Sequence, residues 1–209
     1  MSRSTSRMNV VVIDYGVGNV HSVVAVFRQL GHRVETTKDL SVIAACDLAV
    51  LPGVGSAKEA LPKVRHSGAA EAIKVRTDAG RPTIGICLGA QLLFGANEEA
   101  DGVPGLEVFE GSVRRIQGKG TNTGWRELDF DQLRGLGLAR GLRSSSTYFF
   151  NHEFGMAVDG SDFTCVHAVE PRLPALVARG STVAIQFHPE KSQASGVRLM
   201  RNVIDYVGS

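Results

Sequence analysis

Cys87 sits in Gly85-Ile86-Cys87-Leu88-Gly89, after the apolar run 83–86 and before Gln91-Leu92-Leu93-Phe94. A cysteine on a sharp turn between a strand and a helix is held where a nucleophile can reach a substrate. The helix N-terminus behind it favours thiolate. Gly85 and Gly89 remove side chains where such an elbow needs tight packing. Much later the chain reads Gln186-Phe187-His188-Pro189-Glu190, a histidine with a carboxylate two residues on. Cys87, His188 and Glu190 together supply a nucleophile, a base and the group that fixes the base's tautomer. The chemistry is acyl transfer through a thioester. Alone, each has a blander explanation: a buried thiol, a satisfied core histidine, a loop charge. Their conjunction favours catalysis.

A thioester mechanism needs N–H donors at the developing oxyanion, each worth roughly 10²–10³ in rate. Pro52-Gly53-Val54-Gly55, directly after the apolar run 48–51, can supply them. Asp14-Tyr15-Gly16-Val17-Gly18-Asn19 invites a dinucleotide reading with Glu35 as the ribose acid, but His21 stands where the fingerprint needs a third small residue. His21, His32, His66, His152 and His167 show no metal-ligand spacing, and the three cysteines form no Cys-x-x-Cys pair. No metal, cofactor or disulfide is expected. Arg134 to Arg143 reads as a solvated surface loop.

The elements that must place these residues follow from periodicity and punctuation. Strands are expected at 9–13, 33–36, 48–51 and 83–86. A helix capped by Asn19 runs to residue 30, and further helices cover 57–65 and 67–79. After residue 96 short, antiparallel strands are expected at 107–116, 147–150, 163–167, 175–178 and 183–187, then a helix over 195–206. His188 and Glu190, alternate residues at a strand end, should face one way. The result is a single three-layer α/β domain over residues 9–209 with a mixed, mostly parallel central sheet, preceded by a disordered leader at 1–8. A hydrophobic content of 43%, a charged content of 21% and a net charge of +2 fit an ordinary globular protein and give no reason to invoke nucleic acid or membrane. A cytoplasmic location is expected.

These motifs make the chain similar to the triad, or class I, glutamine amidotransferases, whose fold is flavodoxin-like, and within them to the glutaminase subunits of imidazole glycerol phosphate synthase. The similarity spans residues 10–203. It implies hydrolysis of L-glutamine to glutamate and ammonia by Cys87, His188 and Glu190. It further implies an oxyanion site at Gly53, Val54, Gly55 and Leu88, and glutamine contacts from Gln91 and Glu99. The implied partner is a (βα)₈ cyclase that receives the ammonia in histidine biosynthesis and docks against Trp125, Tyr148 and Lys191. Two segments depart. Thr121-Asn122-Thr123-Gly124-Trp125 stands where the family reads Pro-His-Met-Gly-Trp, and Tyr148-Phe149-Phe150-Asn151-His152-Glu153 where it reads Tyr-Phe-Val-His-Ser-Tyr. These leave open a different ammonia-using synthase, or a regulatory subunit of the same fold without turnover.

Overall fold

In the computed structural model, which describes residues 7–117 and 121–209, seven strands form the central sheet. The chain runs β1 (Asn9–Ile13), α1 (Val20–Gln29), β2 (Arg33–Thr37), α2 (Leu40–Ala45), β3 (Leu48–Leu51), α3 (Ala57–His66), α4 (Ala69–Asp78) and β4 (Thr83–Ile86). It continues through α5 (Leu88–Leu92), β5 (Phe94–Asn97), β6 (Phe109–Arg115), β7 (Asn122–Glu127), α6 (Phe130–Gly135), β8 (Thr147–His152), β9 (Phe154–Val158), β10 (Thr164–His167), β11 (Pro174–Arg179), β12 (Thr182–Ile185) and α7 (Gln193–Val207). The central order is β10-β11-β12-β4-β3-β1-β2. From β12 to β2 all neighbours are parallel, and β11 and β10 add an antiparallel edge.

Both faces of this sheet are covered, so its inner strands read as unbroken apolar runs. Side-chain alternation divides them between two cores. Val10, Val12, Ile84 and Ile86 pack under α1, α6 and α7, whereas Val11, Ile13, Ala49 and Leu51 pack under α2, α3, α4 and α5. β5, β6 and β9 form a small second sheet on the latter side, and β7 and β8 form a separate two-stranded antiparallel ladder. Arg76 pins the back of the structure. Its side chain is 1% exposed and donates to the carbonyls of Ile43, Ala44, Cys46 and Pro82 at 2.8–3.0 Å.

Several expectations need correction. α2 has six residues, too few to show a period, and is fixed by Asp39 accepting from the backbone N–H of Ser41 and Val42. α4 starts at Ala69, after Gly68 turns left-handed at φ 77°. Asn19 stands at the α1 cap position but makes no side-chain cap bond. β5, β7 and α6 carry too few apolar residues, or run too short, to be read by periodicity, and no expected strand covers β9, although it is as long as β1 and wholly non-polar. β5 pairs parallel with β6, and β12 parallel with β4, so the later strands are not uniformly antiparallel. The stretch from Arg134 to Arg143 is tied down: Leu138 is buried, and Asn202 Nδ2 donates to the Leu138 and Arg140 carbonyls at 2.6 and 2.9 Å. Of the leader, residues 1–6 lie outside the described residues. Met8 is held, donating to His32 Nδ1 at 3.3 Å and accepting from Arg33 N at 3.0 Å.

Candidate active site

The parallel strands β2-β1-β3-β4-β12 follow the doubly wound order in which ligands bind beyond the strands' C-terminal ends, where the order switches. There β1 leads into Asp14 to Asn19, β3 into the Pro52 loop, β4 into Cys87 and β12 toward His188. Their convergence makes a cleft of about 600 Å³, lined by Asn19, Val54, Gly55, Cys87, Leu88, Gln91, Glu99 and His188 among others.

Cys87 adopts φ 55°, ψ −113°, a conformation unusual for a side chain with Cβ, and its N–H donates to the Ile185 carbonyl at 2.7 Å. Strain of this sort costs about 1–3 kcal/mol and is tolerated where surrounding packing imposes it. Glycines impose it here. A Cβ on Gly89 would lie 2.0 Å from the Leu51 carbonyl oxygen, on Gly53 2.6 Å from Gly89 N, and on Gly85 2.8 Å from Ala90 Cα. The ends of β3 and β4 and the start of α5 therefore interlock backbone to backbone. No side chain fits between them.

His188 Nδ1 lies 2.7 Å from Glu190 Oε1, with the two side chains 4% and 2% exposed. They do not meet by strand alternation. β12 ends at Ile185, and Pro189–Lys191 forms a single 3₁₀ turn that folds Glu190 back under the ring. Burial opposes the imidazolium, yet Cys87 and Glu190 beside it push His188 up to about 9. A ring that holds its proton at neutral pH is suited to give it to a leaving amine. The backbone around it is fixed too. His188 N donates to the Phe149 carbonyl at 2.8 Å, and buried Ser192 Oγ accepts from Phe149 N at 2.9 Å while donating to His188 O at 2.6 Å.

The motif at residues 14–19 serves the Pro52 loop. Buried Tyr15 donates its hydroxyl to the Pro52 carbonyl at 2.8 Å, tethering the loop that carries Gly53, Val54 and Gly55. Burial, reinforced by Cys87, pushes its phenol well above the usual range. Gln91 is buried and donates through Nε2 to the Phe154 carbonyl and to Gln186 Oε1, at 2.6 and 3.2 Å. Glu99 Oε2 accepts from Ala57 N at 2.7 Å, capping α3.

Of the three residues expected on the partner face, Lys191 lines the cleft and Trp125 packs on the same Phe149 ring that Lys191 covers. Trp125 is 42% exposed and packs edge-on to Phe149, with centroids 5.7 Å apart, while Lys191 Nζ lies 5.8 Å above the same ring. Tyr148 does not belong with them. It is 1% exposed, because β8 alternates and turns Tyr148 and Phe150 into the core and Phe149 outward. Phe149 is the residue missed; period-two alternation over 147–150 could have found it. His152, within the second departing segment, lines the cleft, and burial, aided by His188, pushes it down to about 4 despite its bond to Phe154. Among the described residues no cluster of three or more His, Cys, Asp or Glu could hold a metal ion, and no helix is long and apolar enough to cross a membrane.

Residues 11–205 match the family model for glutamine amidotransferase class-I. The chain is 35% identical to imidazole glycerol phosphate synthase subunit HisH of Syntrophotalea carbinolica, over 94% of this chain and 99% of that protein. It is likewise 35% identical to the HisH subunit of Gloeobacter violaceus, over 96% and 91%. A crystal structure of a glutamine amidotransferase superposes with a TM-score of 0.77 at 22% identity, covering 96% of this chain and 99% of that one, a likeness of fold.

Proposed function

The chain belongs to the class I glutamine amidotransferase family, and on that premise we propose that it is the glutaminase subunit of an imidazole glycerol phosphate synthase. Cys87 Sγ attacks the carboxamide carbon of L-glutamine. N–H groups of the Gly53-Val54-Gly55 loop and Leu88 receive the oxyanion. His188, oriented by Glu190, gives its proton to the departing nitrogen, so ammonia leaves and a γ-glutamyl thioester remains. His188 then takes a proton from water, which attacks the thioester; the Cys87 sulfur leaves as thiolate, glutamate is released, and the thiolate–imidazolium pair is restored. Gln91 and Glu99 hold the amino-acid head, both offering acceptors to the α-ammonium.

Ammonia is delivered to a (βα)₈ cyclase docked over the mouth, where Trp125, Phe149 and Lys191 form the contact face. The pair works in the cytoplasm as a heterodimer. The observation that carries this reading is the strained Cys87 elbow beside the buried His188–Glu190 pair in one cleft. The two departing segments are rungs of one ladder, with Asn122 opposite His152 and Thr123 opposite Asn151. The test is paired rescue. With its own cyclase, the gene should restore growth without histidine to a strain lacking its glutaminase subunit; failure with both proteins soluble and Cys87 reactive would favour another ammonia-using synthase.

A further inference from the structure

Four polar side chains form a chain of hydrogen bonds from the β7–β8 ladder to the cleft. Arg126 Nε donates to Asn122 Oδ1 at 3.0 Å, and Asn122 Nδ2 lies 3.0 Å from His152 Nε2. His152 Nδ1 lies 2.8 Å from the Phe154 carbonyl, which also accepts from Gln91 Nε2. Asn122, His152 and Gln91 are all buried. Every direction in this chain is forced. The Phe154 carbonyl can only accept, so His152 carries its proton on Nδ1, and the Nε2 of a neutral ring must accept. Asn122 therefore turns its amide N–H toward the ring and its oxygen toward Arg126, which can only donate.

At the far end, both N–H groups of Gln91 are taken, one by Phe154 O and one by Gln186 Oε1. Its carbonyl oxygen, which accepts no hydrogen bond among the described residues, is the polar atom left for the cleft that Gln91 lines. We infer that His152 is a positioning residue for glutamine: by fixing the Phe154 carbonyl it locks the Gln91 amide with its oxygen free to receive the substrate's α-ammonium. The inference rests on the reading that glutamine lies against Gln91. It gives a role to one of the two departing segments, where His152 stands in place of the family's serine.

Two substitutions of His152 separate positioning from space-filling. His152→Asn places an amide nitrogen where Nδ1 was and keeps the bond to Phe154, whereas His152→Gln reaches toward Asn122 and loses it. Glutamate release by the chain assembled with its cyclase is measured across glutamine concentrations, with Gln91→Ala as reference. Cys87 alkylation by iodoacetamide, which needs no glutamine site, reports on elbow integrity. His152→Gln should raise KM about three- to tenfold with little change in kcat, the loss of one neutral hydrogen bond from a binding interaction. His152→Asn should stay near the parent, and alkylation should be unchanged in both. Gln91→Ala should raise KM at least as much as His152→Gln. An unchanged KM in Gln91→Ala overturns the placement of glutamine itself. A raised KM in Gln91→Ala with none in His152→Gln, or equal losses of kcat and alkylation in both His152 variants, overturns the positioning role.

Discussion

Replacing Glu190 by glutamine separates the charge of the triad carboxylate from its shape. The carboxylate oxygen lies 2.7 Å from His188 Nδ1, and at 4% and 2% exposure little water screens the pair. Against the opposing effect of burial, Cys87 and Glu190 together raise His188 from 6.5 to about 9. At about 1.4 kcal/mol per unit this amounts to about 3 kcal/mol between the protonation states, shared by two partners. Glu190→Gln removes one partner's charge and offers an amide N–H that can stabilise the wrong tautomer. The kcat for glutamate release should fall about 10³–10⁴-fold, as when a triad aspartate is neutralised, and the His188 midpoint, followed by ¹⁵N NMR, should move down toward 6.5. Stability follows with a definite sign. A histidine raised in the folded state contributes fully below its unfolded value and loses that contribution as pH rises through the folded one. The melting-temperature gap between parent and variant should thus be widest below 6.5 and close as pH passes about 9. A variant that keeps kcat within about tenfold of the parent, or whose His188 midpoint does not fall, would refute this account of the carboxylate.

Other outcomes follow from the same geometry. Trp125→Ala should weaken cyclase binding about 30-fold, the loss of a roughly 2 kcal/mol hot spot, in an equilibrium titration. Tyr148→Phe, buried beneath that face, should leave binding unchanged. Arg76→Met removes four donated bonds and should lower unfolding free energy by about 3 kcal/mol in urea titration. Without the cyclase, glutamate release should be slower by about 10² or more, the loss expected when the Val54 N–H of the free chain points away from the oxyanion, and it should recover on adding cyclase with its acceptor substrate.

The site was legible in the sequence where backbone geometry dictates residue type. Gly53, Gly85 and Gly89 are legible because no Cβ fits, and Cys87 because it stands between two of them. β1, β3 and β4 were legible because the inner strands of a sheet covered on both faces need unbroken apolar runs, whereas β2 lies at the sheet's edge and is mostly exposed. His188 and Glu190 were legible as a pair, but their meeting through a 3₁₀ turn was not, since one turn leaves no period to read. The rim was hardest. Asn122, His152 and Ser192 act through hydrogen bonds to partners distant in sequence, and only the fold brings those partners near. Tyr148 was misplaced by resemblance, although alternation along β8 turns the half-buried Phe149 outward instead.

The central claim is a covalent γ-glutamyl thioester on Cys87. Acid-quenching the cyclase-bound chain during glutamine turnover, followed by peptide mass analysis, tests it directly. The account predicts one glutamyl addition on the peptide carrying Cys87, absent from Cys87→Ser and undiminished in Cys46→Ser and Cys165→Ser. Continued glutamate release by Cys87→Ser at the parent rate, with no adduct at residue 87, would contradict it.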